Sequence, residues 1–148
     1  MCDDKKYEFN INGNNMKSKY NIIIGDKTVE EWDKKWQYIG KLKLKNIEQL
    51  KGQIGLYRIK YNVCGEEIYI GKATESENGT KGLYKRLHDY ITEDTEKKRD
   101  VDKYIYKNRN NLDVYVIKFG TSIEARAIAN GLESLFIDYH YPYYNKQK

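Results

Sequence analysis

The chain has few cysteines, a single proline and no long apolar run among its 148 residues. Its only cysteines are Cys2 and Cys64, which form no C-x-x-C pair, and His88 and His140 do not complete a zinc-binding spacing. These absences argue against a structural zinc site, and we expect both thiols to be free in a reducing compartment. The N-terminus lacks the apolar segment of a signal peptide, and no stretch approaches the length of a membrane span. The sequence therefore predicts a soluble, cytoplasmic protein with no membrane partner.

Charge and composition are those of a globular chain. Charged residues of both signs make up 33% of the sequence and hydrophobic residues 39%, and the length suits one domain. The net charge of +5 suits a polyanionic partner but does not require one, because many basic proteins bind no nucleic acid. The fifteen tyrosines are consistent with AT-rich coding bias and with rings packed below surface hydroxyls. Only tyrosines within a specific motif therefore carry functional weight.

Strand and helix signals alternate from residue 54 onward. Two strand patterns, IGLYRIKYN and EEIYIGKA, flank Val63-Cys64-Gly65, and Gly65 supplies the positive φ of a tight hairpin. A third strand is predicted over 112–119, with helices over 82–91, from Asp100, and over 122–139 before Pro142. We therefore expect an α/β fold of the α+β type, in which helices flank a small three-stranded antiparallel sheet. Residues 54–148 form the main domain, and residues 1–53 form an N-terminal extension packed on it.

The N-terminal extension has a helix signal of its own. Thr28 followed by Glu31 is a capping-box pattern for a short helix. Trp32 and Trp36 lie one turn apart on one face of that helix, where we expect them to anchor it to the core.

Two short triplets, Gly55-Leu56-Tyr57 and Tyr69-Ile70-Gly71, lie on the two arms of the predicted hairpin. We expect Tyr57 and Tyr69 to lie nearly opposite each other, which alone predicts only an aromatic cross-strand pair. The two glycines favour a functional interpretation, because glycine weakens a strand unless a backbone or a ligand must approach closely.

These triplets, with YIGK, GLYKRLHDY and LESLF further along the chain, resemble the GIY-YIG nuclease family over residues 54–145. In that family the second triplet follows the first by about a dozen residues, so we interpret the earlier copy at Tyr38 as structural. The resemblance implies a metal-dependent DNA endonuclease of restriction or phage type that hydrolyses phosphodiester bonds. A structure-specific repair nuclease and a DNA-binding module without activity stay open as alternatives.

The resemblance also implies a set of catalytic residues. They are Tyr57, Tyr69, Lys72, Arg86, Tyr90, Glu133 and Asn145. One hairpin tyrosine would deprotonate the attacking water. A phenol has a reference pKa of about 10 and needs a nearby cation or a metal-bound water to act as a base near neutrality, and Lys72 is placed to supply the charge. Arg86 would bind a phosphate oxygen, and Tyr90 shares its helix face one turn later.

Glu133 is the implied metal ligand. It lies beside apolar residues of the last predicted helix, and Mg²⁺, which Mn²⁺ can replace, would offset the cost of burying its carboxylate. The alternative is a partly exposed glutamate paired with Arg126 or another cation. Asn145 either fixes a phosphate or holds the hairpin in place. DNA is the expected partner. We expect a homodimer or larger oligomer, because one site cuts one strand and a two-fold axis matches a palindrome.

Overall fold

The computed structural model describes residues 22–75, 81–92 and 99–145, which form α-helices and antiparallel sheets. The α+β class predicted from the sequence is confirmed. In chain order the elements are β1 (Ile23–Ile24), β2 (Lys27–Thr28), α1 (Val29–Asp33), β3 (Gln37–Gly40), α2 (Leu44–Ile47), β4 (Ile54–Tyr61), β5 (Glu67–Ala73), α3 (Leu83–Ile91), α4 (Asp100–Lys107), β6 (Leu112–Gly120) and α5 (Ile123–His140). Short 3₁₀ turns span Glu48–Leu50 and Arg109–Asn111. Across these ranges, no helix combines the length and the apolar character needed to cross a bilayer.

The main sheet contains four strands in the order β3-β6-β4-β5, and every neighbouring pair is antiparallel. The three expected strands are present, and β3 adds a fourth at the edge beside β6. This strand comes from the N-terminal extension, so residues 37–40 complete the sheet as well as packing on it. Strand β3 was not predicted because it is short and carries no alternating apolar pattern.

The hairpin of β4 and β5 has a register that offsets its two motif tyrosines. Gly65 has a φ of 72° in the connecting turn, as expected. Tyr57 lies opposite Gly71, and Tyr69 lies opposite Ile59. The expectation that Tyr57 and Tyr69 lie nearly opposite each other is therefore wrong. The two residues share one face of the sheet, but Tyr69 lies two residues away from the position opposite Tyr57, so they are diagonal neighbours. An irregularity after Ile59 shifts the pairing near the turn and contributes to this offset.

Each face of the sheet carries its own hydrophobic cluster. Along β4, Tyr57 and Ile59 belong to the cluster beneath α3 and α4, whereas Leu56 belongs to the cluster beneath α1 and α5. This alternation follows from the two-residue period of a strand. The sheet is consequently covered on both faces, with α3 and α4 on one side and α1 and α5 on the other.

Helix α1 begins with the capping box that the sequence predicts, and its two neighbouring tryptophans pack against the core. The hydroxyl of Thr28 accepts a hydrogen bond from the backbone N–H of Glu31 (3.2 Å), and the carboxylate of Glu31 accepts one from the backbone N–H of Thr28 (2.8 Å). Trp32 is buried, and its indole N–H donates to the carbonyl of Ile24 (2.8 Å). Trp36 follows the end of the helix and packs its ring on Phe136. Both tryptophans therefore anchor the extension, although only Trp32 lies within α1.

A largely buried ionic cluster lies on the α1/α5 side of the sheet. Arg58 of β4 donates two hydrogen bonds from Nε and one from Nη2 to the carboxylate of Glu67. His140 at the end of α5 lies 2.6 Å from an Asp33 oxygen, measured from Nε2. Its Nδ1 lies 3.2 Å from Nη2 of Arg58. The cluster thus ties the hairpin to both α1 and α5.

Cys64 departs from the expected redox state. It is disulfide-bonded, so the expectation of a free thiol is wrong at this position. Cys2 lies outside the described residues. A cysteine that fits no motif gives no signal of its pairing, so the sequence could not reveal the bond at Cys64.

Candidate active site

The three tyrosines predicted to be catalytic lie together on the α3/α4 side of the sheet. The hydroxyls of Tyr57 and Tyr90 are 2.7 Å apart, and the ring centroids of Tyr57 and Tyr69 are 6.1 Å apart. Strands β4 and β5 place Tyr57 and Tyr69 on the same face, while α3 supplies Tyr90 from its last turn. The exposed fractions of Tyr57, Tyr69 and Tyr90 are 1%, 8% and 2%. Tyr69 is therefore the most accessible member of this tyrosine cluster.

The motif glycines make room for this packing. A Cβ on Gly71 would overlap Cζ and Oη of Tyr57 and would lie 2.8 Å from Cε1 of the same ring. A Cβ on Gly55 would overlap the carbonyl oxygen of Ile117 and lie 2.8 Å from Cδ1 of Leu83. Close approach by the protein's own atoms therefore accounts for glycine at both positions.

The environment of Tyr57 keeps its phenol neutral. Burial raises the pKa of Tyr57 well above its ordinary value, and the neighbouring phenols of Tyr90 and Tyr69 add to the rise, whereas the charge of Arg86 opposes it. Burial likewise raises the pKa of Tyr90. Because Tyr57 is enclosed and bonded to Tyr90, it is poorly placed to take a proton from water.

Arg86 is available for an anionic ligand. It lies on α3 one turn before Tyr90, with its side chain exposed to solvent. Within the parts of the chain that the structure describes, its guanidinium forms no hydrogen bond and no ion pair, although its charge acts on Tyr57. A guanidinium without a partner at the rim of the tyrosine cluster suits bidentate binding of a phosphate.

Lys72 and Glu133 form an ion pair on the other side of the sheet. The Nζ of Lys72 lies 3.6 Å from Oε1 of Glu133, and their side chains are 41% and 20% exposed. The charge of Lys72 therefore lies next to a carboxylate, and no contact joins it to a phenol in the described ranges. Arg126, the alternative partner of Glu133, donates instead to the carbonyl of Thr74 (3.1 Å).

The tyrosine cluster and this ion pair lie on opposite faces of the sheet. Lys72 directly follows Gly71, which lies opposite Tyr57, and β5 is the edge strand of the sheet. No contact joins Glu133 to a tyrosine within residues 22–75, 81–92 and 99–145.

Asn145 holds the hairpin. It is 4% exposed, its Oδ1 accepts from the backbone N–H of Ile70, and its Nδ2 donates to the carbonyl of Ile70, both at 2.9 Å. The backbone N–H groups of Tyr143 and Tyr144 also donate to carbonyls of β5, at 3.0 Å. Of the two roles left open for Asn145, the structure shows the positioning of β5.

Arg99 is a residue of this site that the sequence analysis missed. Its Nη1 donates to the hydroxyl of Tyr69 (3.2 Å), and its guanidinium lies 5.6 Å from the centre of that ring. Asp102 accepts from Nε (3.2 Å) and Nη2 (3.0 Å) of the same guanidinium. The one available signal was the i,i+3 spacing of Arg99 and Asp102, which does not point to a tyrosine thirty residues earlier.

Glu133 fits the expected magnesium ion in its chemistry. Among the described residues, no group of three or more histidine, cysteine, aspartate or glutamate side chains forms a metal-binding cluster. A single partly exposed carboxylate matches the habit of Mg²⁺, which keeps several waters and takes one or two carboxylates from the protein. Glu133 would have to exchange its contact with Lys72 for the ion.

No protein-family model matches the chain. A search of curated proteins also found no match. The resemblance to GIY-YIG nucleases therefore rests on the motif residues of the sequence alone.

The earlier copy of the motif lies away from this site. Tyr38 is on β3, at the opposite edge of the sheet from β5, and its side chain is 55% exposed. Its hydroxyl donates to Asp113 (3.3 Å), and its ring packs on Tyr115. These contacts agree with the structural interpretation of Tyr38.

Proposed function

We propose that the protein is a metal-dependent DNA endonuclease of the GIY-YIG type, which hydrolyses phosphodiester bonds. The observation that carries the proposal is the convergence of Tyr57, Tyr69 and Tyr90 on the side of the sheet covered by α3, whose Arg86 guanidinium has no partner among the described residues. These residues come from β4, β5 and α3, and they match the motif positions from which the activity was expected. The Lys72–Glu133 pair supplies a carboxylate just across the edge strand.

Tyr69 is the favoured general base in this proposal. Tyr57 is bonded to Tyr90 and almost fully enclosed, whereas Tyr69 is more exposed and accepts a hydrogen bond from a permanent cation, Arg99. In its phenolate form Tyr69 takes a proton from water as the water oxygen attacks phosphorus. The opposite P–O bond breaks, and the leaving oxygen takes its proton from solvent.

Charge on the phosphate is offset from two directions. The guanidinium of Arg86 binds non-bridging oxygens and stabilises the charge that develops during attack. Glu133 would hold the divalent ion, which when bound supplies positive charge to the phosphate and the leaving oxygen.

Cleavage of plasmid DNA tests the proposal. We expect the protein to cut supercoiled plasmid with Mg²⁺ or Mn²⁺, and Glu133→Gln to lower the rate about 100-fold or more while leaving DNA binding largely intact, because it removes the metal ligand. Glu124→Gln is the matched control, since Glu124 lies exposed in the first turn of the same helix. Retained cleavage by Glu133→Gln would rule out this metal site.

The products distinguish the biological roles. Discrete fragments support a restriction or phage enzyme, and concerted double-strand breaks by a species of twice the monomer mass support the proposed homodimer. Nicks confined to branched DNA support the repair alternative.

A DNA-binding module without activity is the second candidate. The Lys72–Glu133 ion pair favours it, because it occupies the carboxylate that a metal requires. Binding without any product, even with Mn²⁺, would support this candidate over the nuclease.

A further inference from the structure

The guanidinium of Arg99 lies beside Tyr69, and only some of its N–H groups form hydrogen bonds within the described residues. A guanidinium carries five N–H donors, and three of them bond to Asp102 and to the hydroxyl of Tyr69. The two remaining N–H groups have no partner among the described residues, and the side chain is 54% exposed. Arg99 therefore offers directed donors to solvent next to the proposed base.

Asp102 fixes the direction of these donors. Its two carboxylate oxygens hold Nε and Nη2 of Arg99, while its own side chain is only 16% exposed. A guanidinium that is already held in one geometry loses little conformational freedom when it binds an oxyanion. Because Asp102 also offsets much of the positive charge, binding at Arg99 depends on hydrogen-bond direction more than on charge alone.

The cap at the start of α4 does not account for the position of the Arg99 side chain. At the start of α4 the carboxylate of Asp102 accepts a hydrogen bond from the backbone N–H of Arg99 (2.9 Å), and this bond can form whatever side chain residue 99 carries. The guanidinium instead reaches across to β5 and lies at Tyr69.

We infer that Arg99 binds a phosphate of the DNA strand beside Tyr69, so that Arg86 and Arg99 hold the backbone on either side of the tyrosine cluster. This inference rests on the proposed function. It assigns Arg99 to substrate binding, with Asp102 as the residue that positions it. The ligand is the phosphodiester backbone itself, so the contact carries no base specificity.

Binding of a fluorescently labelled DNA duplex, measured in a chelator over a range of salt concentrations, tests the inference. Arg99→Gln should weaken binding about tenfold or more and lower the slope of log affinity against log salt by less than about one, because Asp102 already offsets part of the charge of Arg99. Lys103→Gln is the matched control, because Lys103 lies exposed on the next part of α4. It should change the affinity by less than about twofold.

Arg99→Lys separates charge from geometry. Lysine keeps the positive charge but lacks the several directed N–H donors of a guanidinium. Of the binding free energy that Arg99→Gln loses, Arg99→Lys should therefore recover less than half. Full recovery by lysine, or equal losses for Arg99→Gln and Lys103→Gln, would overturn the inference. Thermal unfolding checks that α4 stays folded, and if Arg99→Gln unfolds, the lysine variant carries the test.

The two proposals fail in different ways. If the wild-type chain cuts plasmid and Arg99→Gln binds and cuts like it, only the role of Arg99 is rejected. If the wild-type chain binds duplex through Arg99 but never cuts, the endonuclease is rejected and the phosphate contact stands.

Discussion

Replacing Gly71 by alanine tests the packing that brings the tyrosine cluster together. The new Cβ would overlap Cζ and Oη of Tyr57 and lie 2.8 Å from Cε1, and Cβ atoms essentially never approach other atoms closer than 3.0 Å. The ring cannot easily retreat, because it is 1% exposed and its hydroxyl lies 2.7 Å from that of Tyr90. We therefore expect Gly71→Ala to displace the ring and to break the bond to Tyr90.

The expected loss of stability has three contributions. Overpacking a filled core costs about 1–3 kcal/mol. Losing a buried hydrogen bond costs about 1–3 kcal/mol when its partner, here the hydroxyl of Tyr90, stays without a new one. Alanine returns up to about 1 kcal/mol by restricting the unfolded chain. The free energy of unfolding should therefore fall by about 1–6 kcal/mol.

Urea denaturation of Gly71→Ala and of a matched control measures this loss. Gly131 lies within α5, where an added Cβ would make an ordinary 3.5 Å contact with Cδ1 of Ile24. Gly131→Ala should accordingly raise the free energy of unfolding by about 0.5–1 kcal/mol, because alanine favours a helix. The two substitutions should thus have opposite signs.

A double-mutant cycle identifies the cause. In a Tyr57→Leu background the ring is gone, so Gly71→Ala should cost at least about 1 kcal/mol less than in the wild-type chain. An equal cost in both backgrounds would refute the steric explanation of Gly71.

Two further predictions concern groups on opposite faces of the sheet. Since burial raises the pKa of Tyr57, its contribution to stability should be fully present below about pH 10 and lost as the pH rises above it, so Tyr57→Phe should flatten the alkaline fall in unfolding free energy. Arg58→Met should cost about 3–5 kcal/mol in urea denaturation because it leaves Glu67 buried without its cation. Lys118→Met, at an exposed position of β6, should stay within about 0.5 kcal/mol of wild type.

Local signals predicted the elements that carry the site. The alternating pattern and Gly65 gave the hairpin, and β4 and β5 match the expected ranges to within one residue at each end. The apolar spacing after Gly82 likewise gave α3, with Arg86 and Tyr90 one turn apart. These features depend on residues close in sequence, which is why a single chain reveals them.

Contacts between distant segments could not be predicted in the same way. Strand β3 pairs with β6, and the hydroxyl of Tyr38 reaches an aspartate seventy-five residues later. Arg99 reaches Tyr69 only because the start of α4 lies near β5. No periodic pattern in the sequence predicts that the two elements are neighbours. The side of the sheet taken by Lys72 was predictable, since alternation from Gly71 places its side chain opposite the phenols.

Asn145 and the two tyrosines before it give β5 a neighbour that is not a strand. The outer N–H and C=O groups of an edge strand invite pairing with another chain, which can extend a sheet without limit. Here the amide of Asn145 occupies both groups of Ile70, and the backbone of residues 143 and 144 occupies two nearby carbonyls. Two copies that meet through β5 would first have to peel this segment away. The contacts that position the hairpin therefore also oppose edge-to-edge pairing of β5 with another copy of the chain.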